Sequence, residues 1–199
     1  MNEQEKLKEK FHALLFGVRK SIRYHNYRRR FFENWAVWSD FLIIVSGGTV
    51  VGFSTYAIST SQPYYRWIAV LFGGIIGIVG TFDLVIGFSN RARDHRDLVK
   101  EFSRLEQDLT KAVNVQTEND LVELVNRRLE IESNEPPVLR ALDAYCHNEQ
   151  VRAEGHPENE KTKITWYQNW FKQWRDIFPE KIKKFKDIES QGSATLTKA

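Results

Sequence analysis

The sequence predicts an all-α membrane protein, a two-helix transmembrane hairpin carrying a cytoplasmic helical bundle, and three observations predict it. Two charge-free, strongly apolar stretches, residues 41–65 and 67–82, lie back to back. With one interruption each, Asp40 and Asp83, the segments 36–58 and 67–88 supply the roughly 20 apolar helical residues that a bilayer's hydrocarbon core requires. Cations crowd the outer flanks: Arg19, Lys20, Arg23, Arg28, Arg29 and Arg30 precede the first span, and Arg91, Arg93, Arg96, Lys100 and Arg104 follow the second. The connecting loop, residues 59–66, holds only Arg66. Excess positive charge stays on the cytoplasmic side, so both termini are expected inside and the loop outside. The aromatic residues agree with that orientation. Tyr56, Tyr64, Tyr65 and Trp67 mark one interface, and Phe31, Phe32, Trp35 and Trp38 mark the other, where amphipathic rings prefer to sit.

Residues 1–35 read as an N-terminal cytoplasmic amphipathic helix. Leu7, Phe11, Leu14 or Leu15, Val18 and Ile22 recur at three- and four-residue spacing among Glu and Lys. The hairpin, residues 36–88, follows. A partner face for the first helix comes after it, where Leu98, Phe102, Leu105, Leu109 and Val113 keep the same spacing along a helix expected to run unbroken from Asp83 to about Val113. The repeat is too short for a coiled coil, so a helical bundle over residues 89–155 is expected. Within that bundle Thr117 caps a helix with Asp120 three residues on, and Leu121, Leu124, Val125 and Leu129 give it an apolar face. Asn134, Glu135, Pro136 and Pro137 form a break. A further helix is expected from about Pro137 to Ala153, because proline suits a first turn, and Leu139, Leu142 and Cys146 bury it. Gly155 and Pro157 end it. Residues 156–189 are aromatic and basic, with Trp166, Trp170, Trp174 and Phe178 four apart. That spacing suits either an interfacial helix or packing against the bundle. Residues 190–199 read as a disordered tail.

Composition narrows the function. In a chain of 199 residues, placing about 45 in lipid leaves one small soluble region and no room for a second large catalytic domain. The net charge of +3 is small and its positive part sits beside the spans, which argues against nucleic acid as a partner. Cys146 is the single cysteine, so no internal disulfide framework exists and a reducing compartment suits the soluble part. The first apolar run is longer than the apolar region of a secretory signal, and no cleavage is expected.

Candidate mechanistic residues lie in the spans. Gly73, Gly77, Gly80 and Gly87 share one arc of the second span, and Gly48, Gly52 and Thr55 align similarly in the first. Such small-residue faces supply packing where lipid gives helices little hydrophobic drive to associate. They either close the hairpin on itself or face another subunit, and assembly into a homo-oligomer within the lipid bilayer is favoured because a lone hairpin has little interior. Asp40 and Asp83 fall at similar depth near the cytoplasmic ends. They either pair with Arg29, Arg30 or Arg91, or ring the inner mouth of an oligomeric pore. Ser46 and Thr49 lie off the glycine face and are candidates to line such a pore, although membrane hydroxyls commonly bond their own backbone.

No catalytic residues are assigned. Asp143, Cys146, His147, Asn148 and Glu149 concentrate reactive types, with Asp143 and His147 on one helical face, but no second metal-ligand pair, glycine-rich phosphate loop or nucleophile elbow accompanies them. No metal or cofactor is expected, and a capped structural helix is the simpler account. His12, His25, His95 and His156 are scattered and support no site.

Three strings carry a resemblance: SIRYHNYRRRFFENW at 21–35, DLVIGFSNRARDHRDL at 83–98 and RRLEIESNEPPVLRALDAYCHNE at 127–149. Their order, their spacing from the hairpin and the Glu-Pro-Pro break resemble the SLATT family, two-transmembrane effector domains associated with the SMODS and SLOG modules of prokaryotic conflict systems. The likeness covers about residues 5–178. It implies an inner-membrane anti-phage effector that assembles into a regulated pore or disrupts the membrane in response to a signal, often nucleotide-derived. Unlike the multidomain members, this sequence carries no fused sensor, so a separate signal-sensing or nucleotide-signalling protein, or the cytoplasmic helices themselves, would supply the trigger. The alternative is a non-conducting membrane anchor that recruits a cytosolic partner.

Overall fold

The computed structural model describes residues 3–60, 62–112, 118–182 and 185. These residues form α1 (Glu3–Thr60), α2 (Pro63–Ile86), α3 (Phe88–Ala112), α4 (Glu118–Ser133), α5 (Arg140–Ala153) and α6 (Trp166–Phe171), with short 3-10 turns at Glu158–Glu160 and Pro179–Lys181 and no β-strand among the described residues. Two compact units result, one of Arg29–Asp94 and one of Met1–Arg28 with His95–Ala199.

The first unit is a helical hairpin. Helix α1 runs for 58 residues without a proline, so no i to i−4 hydrogen bond is lost along it. The composition change near residue 35 is therefore no helix boundary. Helix α2 starts at Pro63, ahead of the residue 67 that hydropathy alone suggests. A first-turn proline has its φ already set and lacks only an N–H that would have had no partner. The two helices meet along a seam. On α1, Ser39, Ile43, Ser46, Val50, Phe53 and Ala57 are buried or half-buried at alternating four- and three-residue steps, the spacing that keeps one helix face against a neighbour. Near the tip, the Phe53 and Tyr65 rings stack with centroids 5.9 Å apart and Tyr56 meets Tyr65 edge-on at 4.8 Å. At the base, Phe32, Phe88 and Ala92 form a small core, and Trp35 stacks on Phe88 at 6.0 Å.

The expected unbroken helix from Asp83 to about Val113 is corrected at Gly87. Its φ of 65° and ψ of 54° are left-handed, and its N–H donates to the Asp83 carbonyl at 2.7 Å. A side chain there would cost about 1–2 kcal/mol, and without one the chain ends α2 and restarts as α3 across a single residue. Val113 itself, like Thr117 and the tail 190–199, lies outside the described residues.

The second unit has its own core. Phe11, Leu14 and Val18 of α1 pack with Leu98, Phe102, Leu105 and Leu109 of α3 and with Leu121 and Ile131 of α4. Helix α4 presents Leu121, Leu124 and Ile131 inward, while Val125 and Leu129 are exposed, so its apolar face is turned from the one its sequence suggests. Arg128 lays its guanidinium over Gly17, where a Cβ would sit 2.5 Å from Arg128 Nη1 and oblige the arginine to shift.

Helix α5 begins at Arg140, later than Pro137, because its first N–H groups are satisfied from elsewhere. Leu139 N–H donates to the Tyr24 hydroxyl at 2.9 Å, and the N–H groups of Arg140 and Ala141 donate to the two carboxylate oxygens of Asp176 at 2.9 and 3.0 Å. A carboxylate at a helix N-terminus both accepts the otherwise unpaired N–H groups and meets the positive end of the helix dipole. Leu142 and Cys146 then bury the helix against Tyr24. Asp176→Ala should lower the stability of detergent-solubilised protein by about 1–2 kcal/mol, read from denaturant unfolding. It should also speed amide exchange at Arg140 and Ala141 while helix content is kept.

Candidate functional site

In the hairpin, the glycine faces point away from the seam. Gly48, Gly52, Gly73 and Gly77 are exposed, and a Cβ built on any of them, or on Gly80, would meet no atom within 4 Å. Gly87 serves as the helix terminator already described. Large apolar side chains are equally bare, Ile58 at 77% and Leu84 at 85% exposure.

The polar residues of the spans separate into distinct settings. Ser46, 3% exposed, sits in the seam and so away from the hairpin's outward faces. Thr49 is half-buried and donates its hydroxyl to the Val45 carbonyl at 2.8 Å. Thr55 and Thr81 return to their own helices in the same way, to Val51 and Gly77. Asp40 is exposed and Asp83 half-buried, and neither forms an ion pair among the described residues. Of the arginines considered as partners, Arg29 lies 3.7 Å from Glu33, and Arg91 donates to the Ile86 carbonyl at 2.9 Å with its guanidinium over the Phe32 ring.

In the second unit, the reactive-looking cluster on α5 is occupied by structural bonds. Asp143 pairs with Lys20 at 2.8 Å, and His147 bonds the Glu160 carbonyl at 3.1 Å. Asn148 clamps Thr162 both ways, donating to its carbonyl at 2.8 Å and accepting from its N–H at 2.7 Å. Glu149 pairs with Arg152. Cys146 is fully buried, and burial pushes its thiol up to about 12, with the nearby Asp143 carboxylate adding to the shift. A cleft of about 360 Å³ lies along Arg19, Arg23, Glu106, Gln150 and Glu154. Arg19 is held by Glu106 at 2.7 Å and Glu154 at 3.2 Å, and Arg23 by Gln150 at 2.7 Å, so its charges answer one another. No group of acidic, histidine or cysteine side chains among the described residues is arranged to hold a metal.

Two of the four histidines that look scattered along the sequence meet in the fold. His25 and His95, seventy residues apart, meet in the core with their Nδ1 atoms 3.0 Å apart, and His25 Nε2 lies 3.1 Å from Glu135 Oε1. His25 is 1% exposed and stacks on Phe102. One Nδ1 must carry the proton that the other accepts, which fixes complementary tautomers. The signal lies in the register. His25 continues the Val18 and Ile22 face of α1, and His95 precedes Leu98 by one helical step on α3.

No family profile, curated protein or solved structure matches this chain.

Cys146 gives a direct check on this packing. Because folding raises its pKa from 9.0 to about 12, the folded state disfavours the thiolate. Its contribution to stability is whole below pH 9 and is lost as pH rises from there toward about 12. At pH 8 a maleimide should leave Cys146 unlabelled in the folded protein and label it fully after denaturation.

Proposed function

We propose that the chain is a two-span effector of a prokaryotic conflict system, one that oligomerises in the inner membrane and forms a regulated pore or disrupts the bilayer. The observation that carries the physical part is the bare outer surface of the hairpin. Helices long and apolar enough to cross a membrane leave Ile44, Ile58, Val70, Leu71, Leu84 and Val85 exposed, a surface that suits hydrocarbon and not water. The outward glycine faces add a reason for assembly, since small residues allow close backbone approach where lipid offers no hydrophobic drive. The arginine flanks support cytoplasmic termini. The resemblance of residues 21–35, 83–98 and 127–149 to SLATT domains supplies the biological setting and argues against an enzyme.

In the proposed assembly Asp40 and Asp83 gather at the inner mouth, where carboxylates favour cations. Ser46, held in the seam, drops out of the lining, and Thr49 has its hydroxyl engaged. Triggering acts through packing. A signal that favours one arrangement of Phe11, Leu14 and Val18 against α3 and α4 shifts a two-state equilibrium by its differential affinity. Helix α1 runs unbroken from that core into the first span, so it is the element that carries the change.

A second reading, an anchor that recruits a cytosolic partner, draws support from the independent core of the helical unit. Exchanging residues 36–88 for an unrelated two-span anchor separates the two, because a scaffold survives the exchange and a pore does not.

Purified protein in liposomes should collapse an imposed potassium gradient when activated, and oligomers that leave every gradient intact count against the pore. Gly77→Leu with Gly80→Leu should weaken assembly by roughly tenfold or more, seen as a lower mass in detergent. An unchanged mass removes the glycine face from the contact.

A further inference from the structure

The aromatic segment after α5 is where sequence leaves two settings open, and its geometry excludes inward packing of its tryptophans. Helix α6 spans only Trp166–Phe171 and is closed by a capping box in which Thr165 and Gln168 bond reciprocally. Gln168 is 1% exposed. Its Oε1 accepts from Thr165 N–H at 3.0 Å, and its Nε2 donates to the carbonyls of Ile177 and Phe178 at 3.1 and 3.0 Å. With about 100° per residue, Trp166 and Trp170 stand roughly 160° from Gln168 on the helix, so fixing Gln168 inward drives both indoles outward. They are 80% and 76% exposed, and Trp174 is 58% exposed.

The following turn is pinned as firmly. Arg28 donates to the Gln173 carbonyl at 2.5 Å, Lys172 Nζ sits 3.4 Å from the centroid of the Tyr145 ring, and Asp176 is engaged as the cap of α5. The tryptophans therefore sit on a rigid platform. In water, three exposed indoles forgo most of the burial energy that large aromatic side chains usually gain.

We propose that Trp166, Trp170 and Trp174, with the basic residues around them, form a docking surface for the headgroup layer of an anionic bilayer. Indoles favour the boundary between headgroups and acyl chains, where the ring is sheltered and the N–H stays wet. The charge matches such a surface. Lys163, Arg175 and Lys181, which lie near the indoles in sequence, are exposed, and Glu180 is the one exposed carboxylate among the described residues from 163 to 182. Each cation near an anionic leaflet adds to the attraction. The surface is a third membrane contact, distinct from the two spans, and it rests on the reading of residues 36–88 as membrane-crossing.

The test uses full-length protein carrying W35F, W38F and W67F, so that only the three platform indoles emit, reconstituted into phosphatidylcholine–phosphatidylglycerol vesicles. The expected result is blue-shifted emission, shielding from iodide, and loss of about half the intensity to lipid brominated high on the acyl chain. Replacing phosphatidylglycerol with phosphatidylcholine should reverse most of that shielding. Indoles open to iodide overturn the proposal, and so do indoles shielded from iodide and brominated lipid alike, which would place a second copy or another protein on the surface. Equal shielding without anionic lipid overturns the part assigned to the basic residues. If the triple variant does not reconstitute, the difference between the wild type and W166F/W170F/W174F gives the same readout. Flotation of the same samples separates the premises: protein absent from the lipid fraction defeats the spanning reading, whereas floated protein with iodide-accessible indoles defeats this proposal alone.

Discussion

Two helices side by side own a single seam, and every other face of the hairpin must find its solvent elsewhere. That constraint orders the rest of the molecule. The seam takes Ser39, Ile43, Ser46, Val50, Phe53 and Ala57 from α1, and rings at the tip and base close its ends. What remains outside is apolar, carries the glycine faces and bears hydroxyls that return to their own backbone. A surface of that kind is stable where the surroundings are hydrocarbon, because the hydroxyls of Thr49, Thr55 and Thr81 bond their own backbone.

The helical unit solves the opposite problem. Its apolar core is small, and polar groups from distant segments tie its shorter elements in place. Asp176 caps α5 from across the fold, Asn148 clamps the extended passage at Thr162, Gln168 fixes α6, and the His25, His95 and Glu135 group joins α1 and α3 to the break before α5. Buried polar groups cost energy unless each is paired. Paired, they admit one arrangement and reject neighbours in register that an apolar core alone would tolerate.

Much of this is legible in the sequence. The register of Phe11, Leu14 and Val18 against Leu98, Phe102, Leu105 and Leu109 identifies the two faces that meet, since a three- and four-residue repeat marks one side of a helix. The proline pair places the break before α5. The start of α5 is less legible, because the groups that satisfy it, Tyr24 and Asp176, are remote in sequence. Gly87 reads like one more member of a glycine stripe, and only its left-handed backbone reveals a helix end. His25 and His95 look scattered along the chain, although each occupies a core position of its own helix. The candidates of the spans diverge: the glycines face outward, Ser46 lies in the seam, and Asp40 and Asp83 differ in exposure.

The sequence by itself determined the lengths of the apolar runs, the cationic flanks and the helical faces, because each is set by composition or by a repeat within a few residues along one chain segment. The tertiary structure alone decided which face of each span became the seam, where α2 gave way to α3, which carboxylate capped α5 and that the indoles of α6 point outward. Those outcomes depend on pairings between segments tens of residues apart, and a local repeat carries no information about the partner it will meet.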